Sequence, residues 1–150
     1  MTSADDGDAA RFGQAVDAGP RPHGCDVLIA DDSGPSREIL SAILRNFVRG
    51  LTLAEARNGV EALQSWEELN PRITMLDLDM PGLDGLAALR RIRAADPGAF
   101  VAIVSGSSSP DNVRQALELG ASGFVVKPYK PQRILDVLQR YAKLKGTVLG

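Results

Sequence analysis

A chain of 150 residues, 44% hydrophobic and 24% charged, is sized for one domain with a core of its own. No apolar run approaches the roughly 18 residues of a membrane span, and a single cysteine, Cys25, excludes an internal disulfide. The net charge of −2 resides in residues 1–24, and the other 15 acids and 15 bases balance, so nothing electrostatic argues for direct nucleic-acid binding.

Residues 1–24 are rich in Ala, Gly, Asp and Pro without periodicity, and are expected to form a disordered N-terminal tail. They lack the basic start and apolar stretch of a secretory signal, so a cytoplasmic location is expected. A first strand is predicted at about 25–31, with Cys25 filling its start. A helix follows at 35–48, capped by Ser33 or Gly34, with Pro35 in its first turn and Ile39, Ile43, Leu44 and Phe47 on one face. Residues 51–56 alternate apolar and polar and predict an edge strand. Asn58-Gly59 opens a second helix carrying Val60, Leu63, Trp66 and Leu69, and Pro71 closes that segment.

A third strand ends at Asp77, and the Pro and Gly content of 79–85 predicts a loop. The next helix carries Leu86, Leu89 and Ile92. Its Arg90, Arg91 and Arg93 are the nearest thing to a basic patch, and a solvated helix face accounts for them. Strand four covers 100–104, and the small polar residues 106–109 predict a mobile loop. Ser109-Pro110-Asp111 starts a fourth helix bearing Val113, Ala116 and Leu117, which stops at Gly120. Strand five leads to Lys127-Pro128. Pro131 begins a last helix reaching about 144, with 145–150 as a short C-terminal tail. Alternating units of this kind predict a parallel sheet with helices on both faces.

Four apolar runs end in chemically active residues: Val27-Leu28-Ile29-Ala30 in Asp31-Asp32, Ile73-Thr74-Met75-Leu76 in Asp77, 100–104 in Ser105, and Phe124-Val125-Val126 in Lys127. In an open parallel sheet the carboxyl ends of the strands share one edge, where ligands bind. Converging carboxylates repel unless a cation neutralises them. An oxygen-only donor set suits a small hard cation such as Mg²⁺. His23, the only histidine, lies in the tail, which argues against a transition-metal site. Lys127 supplies a point charge and Ser105 a neutral donor for phosphoryl oxygens. A carboxylate nucleophile, a divalent metal, a lysine and a hydroxyl make up an aspartyl-phosphate site. An adjacent acid pair taken alone is weak evidence, since such pairs also cap helices.

The pattern resembles the receiver domain of bacterial two-component response regulators, including the small single-domain chemotaxis type. The resemblance rests on Val27 through Asp31-Asp32-Ser33, on Met75-Leu76-Asp77-Leu78-Asp79-Met80-Pro81-Gly82-Leu83-Asp84-Gly85, on Val101-Ala102-Ile103-Val104-Ser105-Gly106, and on Gly120-Ala121-Ser122-Gly123-Phe124-Val125-Val126-Lys127-Pro128. It covers 25–144, in order and with family spacing. It implies a flavodoxin-like (βα)5 doubly wound parallel sheet of strand order 2-1-3-4-5. It further implies that Asp77 is the phosphoacceptor, and that Asp31, Asp32 and Asp77 hold Mg²⁺ with the backbone carbonyl of Asp79. Ser105 would be the switch hydroxyl, Lys127 its cationic partner before a cis peptide bond, and Phe124 the aromatic switch. Plain core packing is the competing reading of Phe124.

The implied partner is a histidine kinase or histidine phosphotransfer protein. Output would pass through the face of the fourth helix, fifth strand and fifth helix, which also offers a route to a homodimer. The last helix fits a partner-binding role, being apolar on more than one side through Ile134, Leu135, Val137, Leu138, Tyr141 and Leu144. With no room for an output domain, signalling goes through protein contact unless the chain is a piece of a longer protein. On this reading the chain is a signalling phosphoacceptor, not an enzyme beyond its own phosphotransfer and autodephosphorylation. Departures from the family pattern are Ser105 where Thr is commoner, Gly106 where Ala is common, and the extra acid Asp79. Two alternatives stand beside this reading. Asp77-Leu78-Asp79 is the Asp-x-Asp of haloacid-dehalogenase-like phosphatases, although that motif normally ends the first strand. An unphosphorylated pseudo-receiver scaffold is the other, and the complete acidic and lysine set argues against it.

Overall fold

In the computed structural model, which describes residues 21–107, 109–147 and 149, the apolar runs become strands and the amphipathic segments between them helices. In chain order these are β1 (Val27–Ala30), α1 (Gly34–Phe47), β2 (Leu53–Ala56), α2 (Gly59–Leu69), β3 (Ile73–Asp77), α3 (Gly85–Ala95), β4 (Val101–Ser105), α4 (Pro110–Glu118), β5 (Gly123–Val126) and α5 (Pro131–Lys145). All strand pairs are parallel, in the order β2-β1-β3-β4-β5, so the flavodoxin-like doubly wound sheet is present with β2 at an edge as expected. Residues 1–20 of the expected N-terminal tail, Ser108 of the 106–109 loop, and Val148 and Gly150 lie outside the described residues.

Side chains alternate across the sheet and build two cores. Val27, Ile29, Ile73, Met75, Ala102 and Val104 face Leu40 and Leu44 of α1 and Ile134, Val137 and Tyr141 of α5. Leu28, Ala30, Leu76, Val101 and Ile103 face Ala62 and Trp66 of α2, Ala88, Leu89 and Ile92 of α3, and Ala116 of α4. Strands buried on both faces read as continuous apolar runs for this reason. Trp66 lies at the opposite end of the sheet from Asp77, beside a cavity of about 110 Å³ that Asn70, Arg72, Phe100 and Tyr141 also line. The ring of Phe100 meets that of Tyr141 edge-on, centroids 5.3 Å apart.

Several expectations are corrected. The buried stripe of α1 is Leu40 and Leu44, whereas Ile39 is 54% exposed and Phe47 is also at the surface. Val60 and Leu117 likewise face solvent, and Leu144 of α5 is exposed while Ile134, Val137, Leu138 and Tyr141 are buried. Arg93 does not share the exposed face of Arg90 and Arg91, because its guanidinium reaches back to donate to the Ala99 carbonyl at 2.8 Å. Cys25 is buried but precedes β1. Residues 21–24, which composition groups with the tail, are bonded to the end of α2. Gly24 N–H donates to Leu69 O, Arg21 donates to Glu67 O, and Asn70 donates from its side chain to the Arg21 and Pro22 carbonyls.

The helix starts follow the sequence signals. Ser33 caps α1, Asn58 caps α2, Asp84 caps α3 and Ser109 caps α4, each side chain accepting a backbone N–H three residues on. At the start of α3 the chain runs so close to β3 that a Cβ at Gly85 would collide with the Asp77 carbonyl oxygen and sit 2.8 Å from Leu78 Cα. Gly85→Ala is therefore expected to lower unfolding stability in urea by about 2 kcal/mol, as overpacking does. Gly106→Ala, where a Cβ meets nothing within 4 Å, is expected to leave stability unchanged.

Candidate functional site

Parallel register brings four reactive side chains to one edge. Asp31 follows β1 and donates its backbone N–H to Ala56 O, and Asp77 ends β3 opposite Val104. Ser105 ends β4 opposite Val126, and the N–H of Lys127, the next residue, donates to Ser105 O at 2.8 Å. The Lys127-Pro128 peptide bond is cis. Lys127 Nζ donates to Asp31 Oδ2 and to Asp77 Oδ2, at 2.9 Å in each case. Carboxylate oxygens of Asp31, Asp32 and Asp77 lie within 4.8 Å of one another. Asp31 is 2% exposed and Asp77 4%, whereas Asp32 is open to solvent.

Every oxygen of the two buried acids is engaged. Asp77 Oδ1 accepts the Asp79 N–H at 3.1 Å, and Asp31 Oδ1 accepts the Ser33 N–H at 2.9 Å. Burial pushes the Asp77 carboxyl up, the Asp31 charge adds to this, and the bonds from Lys127 and Asp79 only partly offset it, so it sits above its ordinary value. Burial acts on Asp31 too, but the neighbouring Ser36 hydroxyl, the Ser33 N–H and Lys127 hold it below its ordinary value. Burial works against the charge of Lys127, yet the two carboxylates keep its ammonium well above the usual lysine range. One lysine against three acids leaves a local charge of −2. The donor set is all oxygen, so it fits a hard divalent cation, and the exposed Asp32 side leaves room for that ion to keep water.

Ser105 is fully buried, and its hydroxyl accepts the Ser107 N–H at 3.0 Å. Phe124 is half-buried against the core under α2, α3 and α4. Asp79 is exposed and its carboxylate is not among the three clustered acids, so Asp77-Leu78-Asp79 does not present two facing carboxylates. That motif also ends the third strand rather than the first.

Three site residues carry no signal in the sequence pattern. Arg37 donates to the Asp31 carbonyl at 2.7 Å and pairs with Glu55 at 2.7 Å, anchoring the end of β1 to β2. Ser36 and Tyr129 lie 3.3 Å apart, oxygen to oxygen, although 93 positions separate them. None of the three ends an apolar run, and only the fold brings them to the site.

This fold and this cluster define a class, and comparison with known proteins agrees. The family model described as the response regulator receiver domain matches residues 27–139, and the chain belongs to that family. It is a CheY-like receiver domain, which places it among signalling proteins of the two-component, chemotaxis type. The chemotaxis protein CheY of Listeria monocytogenes is 38% identical over 117 residues, covering 78% of this chain and 98% of that protein. CheY of Thermotoga maritima is 36% identical over 118 residues, covering 78% and 97%. Among solved structures, the CheX-CheY-BeF3-Mg complex of Borrelia burgdorferi superposes with a TM-score of 0.71 at 31% identity, covering 81% of this chain and 89% of that one. Among the described residues no helix is long and apolar enough to cross a membrane.

The raised Asp77 carboxyl has a consequence for stability. A group whose folded value lies above its unfolded one penalises the fold once pH rises through that folded value. Asp77→Asn is thus expected to raise the melting temperature at pH 7 without divalent cation. The gap to wild type should narrow as pH falls and Asp77 protonates. Equal melting temperatures across that range would contradict the charge argument.

Proposed function

We propose that Asp77 accepts a phosphoryl group from a phosphohistidine on a partner histidine kinase or histidine phosphotransfer protein. The observation that carries this reading is the junction itself, with Lys127 Nζ bonded to both Asp31 and Asp77 while three acids share one sheet edge. Asp31, Asp32 and Asp77 would hold Mg²⁺, with the backbone carbonyl of Asp79. Bound there, the ion would neutralise charge on the carboxylates and on the phosphoryl oxygens.

The rest follows from the chain's own groups. An Asp77 oxygen attacks phosphorus, forming the O–P bond as the N–P bond to the donor imidazole breaks. Lys127 stays at hand as a fixed positive charge for a phosphoryl oxygen. The Ser105 hydroxyl exchanges its Ser107 contact for the phosphoryl group, drawing in the 106–109 loop, and Phe124 turns inward. The phosphoryl group thereby biases an equilibrium that exists without it. The surface that changes is the α4-β5-α5 face, where Leu117 and Val126 are exposed. A downstream protein, or a second copy of the chain, docks there. A cytoplasmic setting fits such a partner kinase.

Incubation with Mg²⁺ and acetyl phosphate is expected to add one phosphoryl group, and Asp77→Asn to abolish it, as read by intact-mass spectrometry. Unchanged labelling of the Asn variant would falsify the assignment. Lifetime turns on Gly106, which leaves open space beside Ser105 for water to approach. Gly106→Ala is expected to slow loss of the phosphoryl group several-fold without preventing its gain. A time course as fast as wild type would show that access there is not limiting.

A further inference from the structure

The three clustered acids are not held alike. The carboxylates of Asp31 and Asp77 are each clamped twice, by Lys127 Nζ on one oxygen and by a backbone N–H, of Ser33 or of Asp79, on the other. Asp32 is exposed, and among the described residues no hydrogen bond or ion pair holds its carboxylate. Its direction is set by the backbone it leaves from, and that backbone has a clamp of its own.

The main chain of Asp31, the residue before it, is tied at both ends. The Asp31 N–H donates to Ala56 O at 3.0 Å, at the end of β2. The Asp31 carbonyl accepts from Arg37 Nη1, in α1, at 2.7 Å. Nε of the same guanidinium donates to Glu55 Oε1 at 2.7 Å, one residue before Ala56. The Arg37 side chain is only 15% exposed, and charge-assisted bonds of this length are the strong kind. A peptide group is planar, so the oxygen of Asp31 and the nitrogen of Asp32 share one plane. Gripping that carbonyl fixes the plane from which the Asp32 side chain departs, and Glu55 steadies the grip.

We propose that Arg37 is a positioning residue for the cation site, holding the Asp31-Asp32 peptide plane so that the Asp32 carboxylate stays within reach of the ion. The inference rests on the reading that Asp31, Asp32 and Asp77 hold Mg²⁺, and deepens it by naming what aims the exposed ligand. Charge and geometry make opposite demands on this residue. A guanidinium near the acids repels a divalent cation, so if charge alone mattered its removal would tighten Mg²⁺ binding. Acting by position, its removal weakens binding, and does so through Asp32.

The test is calorimetric titration of Mg²⁺ into wild type, Arg37→Met, Arg37→Lys, Asp32→Asn and the Arg37→Met/Asp32→Asn double variant, with melting temperatures beside it. Methionine keeps most of the apolar stem and loses every donor. Arg37→Met is expected to weaken binding about tenfold, the low end of what losing a group behind a metal ligand costs. Arg37→Lys keeps the charge and a donor, and should bind Mg²⁺ more tightly than Arg37→Met. The double variant should be no weaker than Asp32→Asn, because the arginine acts only through that carboxylate. Wild-type or tighter binding in Arg37→Met overturns this inference alone, as does Arg37→Lys binding no tighter than Arg37→Met, or an additive double variant. Should Arg37→Met fail to fold, Arg37→Lys enters the same cycle with Asp32→Asn, and additive losses there overturn the inference. Absence of Mg²⁺ binding in wild type overturns the cation site and this inference with it.

Discussion

Two buried carboxylates and one lysine govern this structure. Asp31 and Asp77 are almost wholly out of water, and each would be costly to ionise alone. Lys127 bonds both at once and so makes their charge tolerable, but one ammonium cannot balance three acids. The remaining negative charge is what a divalent cation and an incoming phosphoryl group would between them resolve. The site is built short of neutrality, and that deficit is what gives it a use.

The sheet is the means of holding that deficit. A parallel arrangement aligns strand ends, so residues 96 positions apart, Asp31 and Lys127, meet without any local motif to join them. The two cores on either side fix the strands, and the close approach of Gly85 to the Asp77 carbonyl pins α3 against the acceptor strand. The N–H groups of Ser33 and Asp79, both in tight turns after their strands, then lock the acids in rotation.

Much of this was legible in the sequence because buried parallel strands leave an unambiguous trace. Four apolar runs ending in Asp31, Asp77, Ser105 and Lys127 gave the strands, the sheet edge and the residues on it. What failed was the choice between adjacent stripes on a helix. In α1 the pairs Ile39–Ile43 and Leu40–Leu44 have the same spacing, and periodicity alone cannot say which turns to the sheet. Arg93 was misplaced for a similar reason, since its long side chain folds back to a carbonyl that the helix pattern does not contain. Ser36 and Tyr129 were invisible because their contact exists only between loop and helix after folding.

Trp66 is the only tryptophan, and it lies in the last turn of α2 beside Asn70, Arg72 and Phe100, at the amino ends of the strands. The five residues of β3 separate it from the acidic cluster by about 15 Å. Its emission is therefore a gauge of global unfolding, well insulated from events at Asp77. A fluorescence melt would follow the whole domain while staying blind to the site, and an optical signal for the site would need a second indole placed near the carboxyl ends of the strands.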